Sequence, residues 1–202
     1  FGIEFGNDLN VINPTSNSLA LSGAKIIFNL AASNELVGRY ARRKDLVKMQ
    51  SIKLISGYVY TSSGMMESSS DVLFSGASMI YENGEALAEN ERFDLNSNLI
   101  IADIDCNKLN NLRIRNNHYV GNKAIATNVN VKFNDTKKFD RVYKMYPFVP
   151  DDKLLKDERC KEIVSIQSSA LARRLIQLNY PKCVLGISGG LDSTLAFLVV
   201  VE

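Results

Sequence analysis

A chain of 202 residues, 46% hydrophobic and 23% charged, has an ordinary globular composition and room for one large domain or two small ones. A formal net charge of +2 supplies neither the dense positive surface of a nucleic-acid binder nor an acidic tail, and no apolar run reaches membrane-spanning length. The three cysteines, Cys106, Cys160 and Cys183, are an odd number without a C-x-x-C pair, which argues against a disulfide framework or zinc site and fits a reducing cytoplasm.

From the amino terminus, Phe1 to Phe5 reads as a short strand with no signal peptide before it, followed by a polar turn at Gly6-Asn7-Asp8. Asn13-Pro14-Thr15 suits a helix start, with Leu19 and Leu21 apolar and Gly23 closing it. Lys25 to Leu30, rich in Ile and Phe, is predicted to be a buried strand. Leu36 to Ile55 carries Leu36, Tyr40, Val47, Ile52 and Ile55 at helical spacing. The basic run beside them, Arg39, Arg42, Arg43 and Lys44, is expected to be mostly a solvated face. Gly57 to Thr61 is a further strand. Val72 to Phe74 and Ser78 to Tyr81 follow, and Glu82-Asn83-Gly84 makes a hairpin turn before Glu85 to Glu89. Leu99 to Ile104 is expected to be a strand and Cys106 to Arg115 a helix. Strands alternating with helices first, and hairpins later, imply an α/β fold with a mixed sheet.

Asn116 to Pro150 is polar, holds an isolated strand pattern from Asn128 to Phe133, and ends in Tyr146-Pro147-Phe148-Val149-Pro150. Prolines bracketing apolar residues suit an extended connector. His118, the only histidine, has no Cys or Ser partner near it in sequence and reads as an exposed residue. Glu67 and Asp71 flank Ser68-Ser69-Ser70, a loop expected to cap its own backbone rather than to offer paired carboxylates. Lys153 to Tyr180 contains a strong helix with Cys160, Ile163, Val164, Leu171, Leu175 and Leu178 on one stripe.

Val184 to Ile187 then reads as a buried strand entered by Cys183, broken at Ser188-Gly189-Gly190, before an apolar helix from Leu191 to Val201. A Gly-rich turn opening a helix leaves backbone N–H groups free at a positive dipole end, which is an anion site. Gly189 and Gly190 allow a positive φ and close approach to a phosphate. Ser188 and Ser193 add hydroxyls, and Asp192 can cap the helix or hold a nucleotide-borne cation. The turn lacks the lysine of a Walker A loop and the spacing of a dinucleotide fingerprint. A chain that opens on Phe1 and stops at Glu202, within an expected helix, reads as a piece of something longer.

Ser188-Gly189-Gly190-Leu191-Asp192-Ser193 resembles the SGG-x-D-S pyrophosphate loop of the ATP pyrophosphatase superfamily. Upstream, Phe1-Gly2-Ile3-Glu4, Asn29-Leu30, Ser33, Gly38-Arg39, Tyr58-Val59-Tyr60, Glu67-Ser68-Ser69 and Phe74-Ser75-Gly76 resemble the rear part of a nitrilase-type glutaminase domain. Tyr146 to Pro150 and Arg159-Cys160 to Gln167 resemble the junction between the two. In that order the features are similar to the glutamine-dependent NAD⁺ synthetase family. The resemblance implies that 1–115 is the C-terminal part of a nitrilase-like α-β-β-α sandwich and 116–150 an extended connector. It implies that 151–202 supplies the first strand-loop-helix of a doubly wound ATP-pyrophosphatase (adenine nucleotide alpha hydrolase-like) domain. It also implies a cytoplasmic ligase, homo-oligomeric when intact, with ATP and Mg²⁺ as reactants and no bound prosthetic group. Glutamine or ammonia would be the nitrogen source and nicotinic acid adenine dinucleotide the substrate, activated as an adenylate. Carried over position by position, Gly186, Ile187, Ser188, Gly189, Gly190, Leu191, Asp192 and Ser193 would bind ATP, with Asp192 a Mg²⁺ contact. Ser33 and Arg39 would hold glutamine, Arg39 pairing bidentately with its carboxylate.

One departure bears directly on activity. Where the family has its cysteine nucleophile, this sequence has Gly6, and without a thiolate there is no thioester route. None of the three cysteines present stands at a replacement position, and the family's Glu base and Lys have no counterpart in these residues. The alternative that follows is a non-catalytic remnant or subunit-packing module, with a degenerate glutaminase and at most weak ATP binding.

Overall fold

The computed structural model describes residues 1–67, 71–117, 119, 127–131, 141–179 and 182–202. His118 and Ser68-Ser69-Ser70 lie outside the described residues, as does part of the strand pattern expected at 128–133; residues 128–131 form no strand. The contacts divide the chain into two units, Phe1–Arg141 and Val142–Glu202, with the division inside the expected connector.

The first unit is built on a five-stranded mixed sheet. Strand β1 (Gly2–Phe5) runs into a 3₁₀ turn (Gly6–Asn10), then helix α1 (Thr15–Leu21), β2 (Ile26–Ala31), helix α2 (Arg39–Leu54) and β3 (Gly57–Ser62). The hairpin β4 (Ser78–Glu82) and β5 (Glu85–Glu89) follows, then helix α3 (Cys106–Ile114). The strands lie in the order β1-β2-β3-β4-β5, with β1, β2 and β3 parallel and β4 and β5 antiparallel. The mixed α/β sheet expected from the element order is the architecture found.

Period-2 alternation explains the two faces. In register, Gly2, Ile27, Tyr58 and Tyr81 form one row and Glu4, Asn29, Tyr60 and Met79 the next. These two rows face the buried cluster that includes Leu9, Ala20, Val47 and Leu54. Glu4 is a carboxylate inside that core, 1% exposed. It accepts hydrogen bonds from Ser16 N at 2.7 Å, from Asn29 Nδ2 at 3.3 Å, and from the Tyr58 hydroxyl. Three donors offset the cost of burying the charge. Burial, and next the Glu4 charge, push the Tyr58 phenol far above its usual range, so it stays a donor. Tyr58→Phe removes one hydrogen bond to a buried anion and is expected to cost about 2 kcal/mol, read as a lower urea midpoint at unchanged slope.

Three expectations are corrected in this unit. Helix α2 begins at Arg39 rather than Leu36, because Gly38 is left-handed at φ +79° and breaks the helical dihedrals; Leu36 is exposed. Residues 72–74 and 99–104 form no strand. Ile104 instead packs against Gly57 on the central strand, so the second segment crosses the sheet face and does not extend an edge. Arg43, placed on a solvated face by its basic neighbours, is 6% exposed, drawn inward by the carboxylate of Glu35.

The second unit contains helix α4 (Lys153–Gln177), capped by Asp152 accepting from Leu155 N at 2.8 Å, and helix α5 (Leu191–Val201). Of the expected stripe on α4, Val164, Leu171 and Leu175 are half-buried, whereas Cys160, Ile163 and Leu178 are exposed. Val184 to Ile187 is not a buried strand: it has no ladder, Val184 is fully exposed, and Cys183 is exposed as well. An extended run becomes a strand only when a neighbour takes its N–H and C=O groups, and among the described residues none does. No helix among the described residues is long and apolar enough to cross a membrane.

Candidate functional site

Parallel strands deliver their carboxyl ends to one edge of a sheet, where α/β folds place ligands. Here β1 ends at Phe5, β2 at Ala31 and β3 at Ser62, and an open cleft of about 830 Å³ lies beside them. Gly6, Ser33, Arg39, Arg42, Arg43 and Tyr60 all line it. The three positions singled out in the first half of the sequence, Gly6, Ser33 and Arg39, therefore share one cavity.

Gly6 follows β1 directly and holds a left-handed φ of +48° as the strand turns into the 3₁₀ segment. A Cβ built there would meet nothing within 4 Å, so the position faces open space. A strand turning sharply into a helix at a strained residue is a geometry that presents a nucleophile; glycine presents none.

The segment 32–38 carries Ser33 and leads to Arg39 at the first turn of α2. It is fastened at both ends. Ser33 N donates to Ser62 Oγ at 3.1 Å, and Glu35 N donates to Leu73 O at 2.8 Å. Glu35 accepts from Arg43, from Ser75 Oγ at 2.8 Å and from Arg92 Nη1 at 3.4 Å. Burial alone would raise the Glu35 carboxyl, but the hydrogen bonds from Arg43 and Ser75 and the charges of Arg43 and Arg92 outweigh it and hold it below the usual range. Arg39 Nη1 donates to Asn34 Oδ1 at 2.6 Å, which turns its guanidinium toward the loop. Beneath the cleft, the Arg43 guanidinium lies 5.6 Å from the Tyr60 ring centroid. Arg43 Nη2 and the Tyr60 hydroxyl are buried with no hydrogen-bond partner among the described residues.

Sequence reading did not place Arg42 and Arg43 at this cleft. The available signal was their spacing, since residues i, i+3 and i+4 of a helix share a face and Arg39 was already read, by resemblance, as a glutamine contact.

The other candidate site lies in the second unit, at the start of α5. Gly189 is left-handed at φ +83°, but Gly190 is not: it is the N-cap at φ −82°. The turn is knitted by hydroxyls. Ser188 N donates to Ser193 Oγ at 3.3 Å, Ser193 Oγ donates to Gly190 O at 3.0 Å, and Gly190 N donates to Ser188 Oγ at 3.4 Å. Asp192 does not cap the helix; it is the second helical residue, an exposed acid in the first turn. Gly186 to Gly190 and Leu191 are exposed, with Ser193 half-buried, so the turn faces solvent. Among the described residues no group of three His, Cys, Asp or Glu side chains could hold a metal ion.

No protein-family model matches the chain. Curated relatives do. The glutamine-dependent NAD(+) synthetase of Mycobacterium tuberculosis (strain ATCC 25618 / H37Rv) is 36% identical over 207 residues, covering 98% of this chain and 30% of that protein. The Mycobacterium leprae (strain TN) enzyme of the same name is 35% identical over the same shares of each chain, and the Thermotoga maritima one is 25% identical over 96% of this chain and 33% of that protein. Overlap with solved structures is partial. A carbon-nitrogen hydrolase from Helicobacter pylori G27 is 18% identical with a TM-score of 0.46, covering 55% of this chain and 42% of that one. A glutamine-dependent NAD+ synthetase from Acinetobacter baumannii in complex with ADP is 22% identical with a TM-score of 0.41, covering 46% and 17%. In sequence the chain is similar to part of the glutamine-dependent NAD(+) synthetases, spanning about a third of the length of the curated relatives it matches.

Proposed function

We propose that the chain is a segment of a ligase that amidates nicotinic acid adenine dinucleotide to NAD⁺ at the expense of ATP, with a glutamine site that no longer hydrolyses glutamine. The observation that carries the reading is the 36% identity, maintained over 98% of the chain, to a relative named for glutamine-dependent NAD(+) synthesis. The turn from Gly186 to Ser193 takes the polyphosphate of ATP, its first α5 amides donating to phosphate oxygens and Asp192 contacting the accompanying Mg²⁺. Adenylation turns the carboxylate oxygen of the substrate into a good leaving group, and amides fixed at a helix start stabilise the departing pyrophosphate. In the first unit, Ser33 and Arg39 hold glutamine beside Gly6. Without a thiolate at Gly6 no acyl-enzyme forms, so the nitrogen that reaches the ligase site comes from free ammonia. The intact protein works in the cytoplasm as a homo-oligomer.

Gly6 also favours a second reading, a remnant that packs against other subunits without turnover. One assay separates the two. A full-length protein carrying this sequence, given ATP, Mg²⁺ and nicotinic acid adenine dinucleotide, is expected to form NAD⁺ with ammonium and none above blank with glutamine. Glutamine-driven turnover would refute the role assigned to Gly6. Absence of pyrophosphate release with either nitrogen source would leave the remnant.

A further inference from the structure

The cleft beside Gly6 carries more positive charge than a neutral amide needs. Arg39, Arg42 and Arg43 reach it from one face of α2, and no acidic residue is among its described lining. Arg43 is neutralised from below by Glu35. Arg39 and Arg42 are not: Arg39 bonds to the neutral side-chain oxygen of Asn34, and neither forms an ion pair with the described residues. Both lie in the first turns of a 16-residue helix, where the backbone dipole adds to their field. The bare Gly6 leaves open space at the end of β1, and the floor holds two buried groups without acceptors, Arg43 Nη2 and the Tyr60 hydroxyl.

We infer that this cleft binds a small dicarboxylate, of the glutamate or glutarate type, in preference to glutamine, with Arg39 on one carboxylate and Arg42 on the other. The inference rests on the reading above that Arg39 takes the carboxylate of an amino acid. Residues i and i+3 of a helix stand about 5–6 Å apart at Cβ. A three-methylene spacer with C–C bonds of about 1.5 Å holds its two terminal carbons roughly 5 Å apart, which matches that separation. A second carboxylate accepts from the Arg42 guanidinium, whereas the amide of glutamine turns half its polar surface, an NH₂, toward a cation that can only donate. With Gly6 in place of a nucleophile the ligand is held and not consumed, so the cleft reports the supply of the acid and does not act on the amide.

Titration calorimetry of the full chain with L-glutamate, glutarate and L-glutamine tests this. Both dicarboxylates are expected to bind at least about tenfold more tightly than glutamine, the factor one additional charge-assisted contact supplies. Arg42 is exposed, so Arg42→Gln leaves the fold intact, as circular dichroism will register; it is expected to bring glutamate down to the affinity of glutamine while glutamine itself stays within about twofold. Salt at 0.5 M is expected to weaken glutamate and spare glutamine. Equal binding of glutamate and glutamine, or a preference that survives Arg42→Gln, overturns the inference and leaves the glutamine site standing. Failure of all three ligands to bind the folded chain overturns both.

Discussion

Arg113→Ala is expected to destabilise the first unit by about 4 kcal/mol, the largest loss from any single truncation outside the apolar core. Arg113 is 8% exposed and has no carboxylate partner among the described residues; its guanidinium is spent on backbone carbonyls instead. Nε donates to Ile55 O at 3.0 Å, and Nη2 donates to Leu54 O at 3.0 Å and to Ala24 O at 2.8 Å. The guanidinium also lies 4.7 Å from the Tyr119 ring centroid. Two of those carbonyls belong to the end of α2, where the helix has no N–H donors of its own for them and its dipole is negative, so a cation there gains twice. Ile55 adds to the dependence. It is a β-branched residue held left-handed at φ +46°, a conformation kept only when its surroundings enforce it. Alanine would strand three carbonyls and free that strain. Lysine would recover little, because one ammonium cannot span three acceptors fixed for a planar fork. Urea unfolding followed by far-UV circular dichroism measures the loss, and a variant within about 1 kcal/mol of the parent would show that water replaces the guanidinium at no cost.

Glu82→Gln is expected to cost about 3 kcal/mol and to remove part of the acid sensitivity of the fold. Glu82 closes β4 with its carboxylate fully buried. It accepts from Arg141, from Lys108 Nζ at 3.1 Å and from Asp105 N at 2.8 Å, which ties the β4–β5 hairpin to the start of α3. An amide of the same shape places donors against donors and leaves the Arg141 side chain, itself 7% exposed, with the Glu85 carboxylate but not that of Glu82. Burial would raise the Glu82 carboxyl; the hydrogen bonds from Arg141, Asp105 and Lys108 and the Arg141 charge overcome that and hold it below its ordinary 4.5. A carboxylate whose folded pKa is depressed contributes fully above its unfolded value and loses that contribution as the pH falls through the folded value. Glu35 and Glu89 are lowered in the same sense. Stability of the parent should therefore be flat above about pH 5 and decline below it, and Glu82→Gln should start lower and decline less steeply. A parallel decline in the two proteins would place the acid-sensitive groups elsewhere.

What could be read from residue order was whatever depends on short-range pattern. Short runs bounded by turn residues marked β1 to β5, Pro14 marked the start of α1, and Glu82-Asn83-Gly84 marked the hairpin. What could not be read depends on partners distant in the chain. Arg43 sits in a basic run that looks solvated, and its burial comes from Glu35, itself held by Ser75, and from the Tyr60 ring. Leu99 to Ile104 and Val184 to Ile187 are apolar enough to be strands, yet a strand exists only where an edge accepts it, and composition carries no record of a free edge. The opposed carbonyls that claim Arg113 belong to residues 24, 54 and 55, invisible from the weak helix around it.

The change of direction at β3 sets two clocks for assembly. Strands β4 and β5 meet across a two-residue turn, a closure of microseconds once the chain is free to move. Strand β2 can join β3 only after α2 has spanned the crossover, and β1 waits in turn on α1. The hairpin pair thus closes a short loop, whereas the parallel pairs on the side that carries Gly6 and the mouth of the cleft must each close a long one.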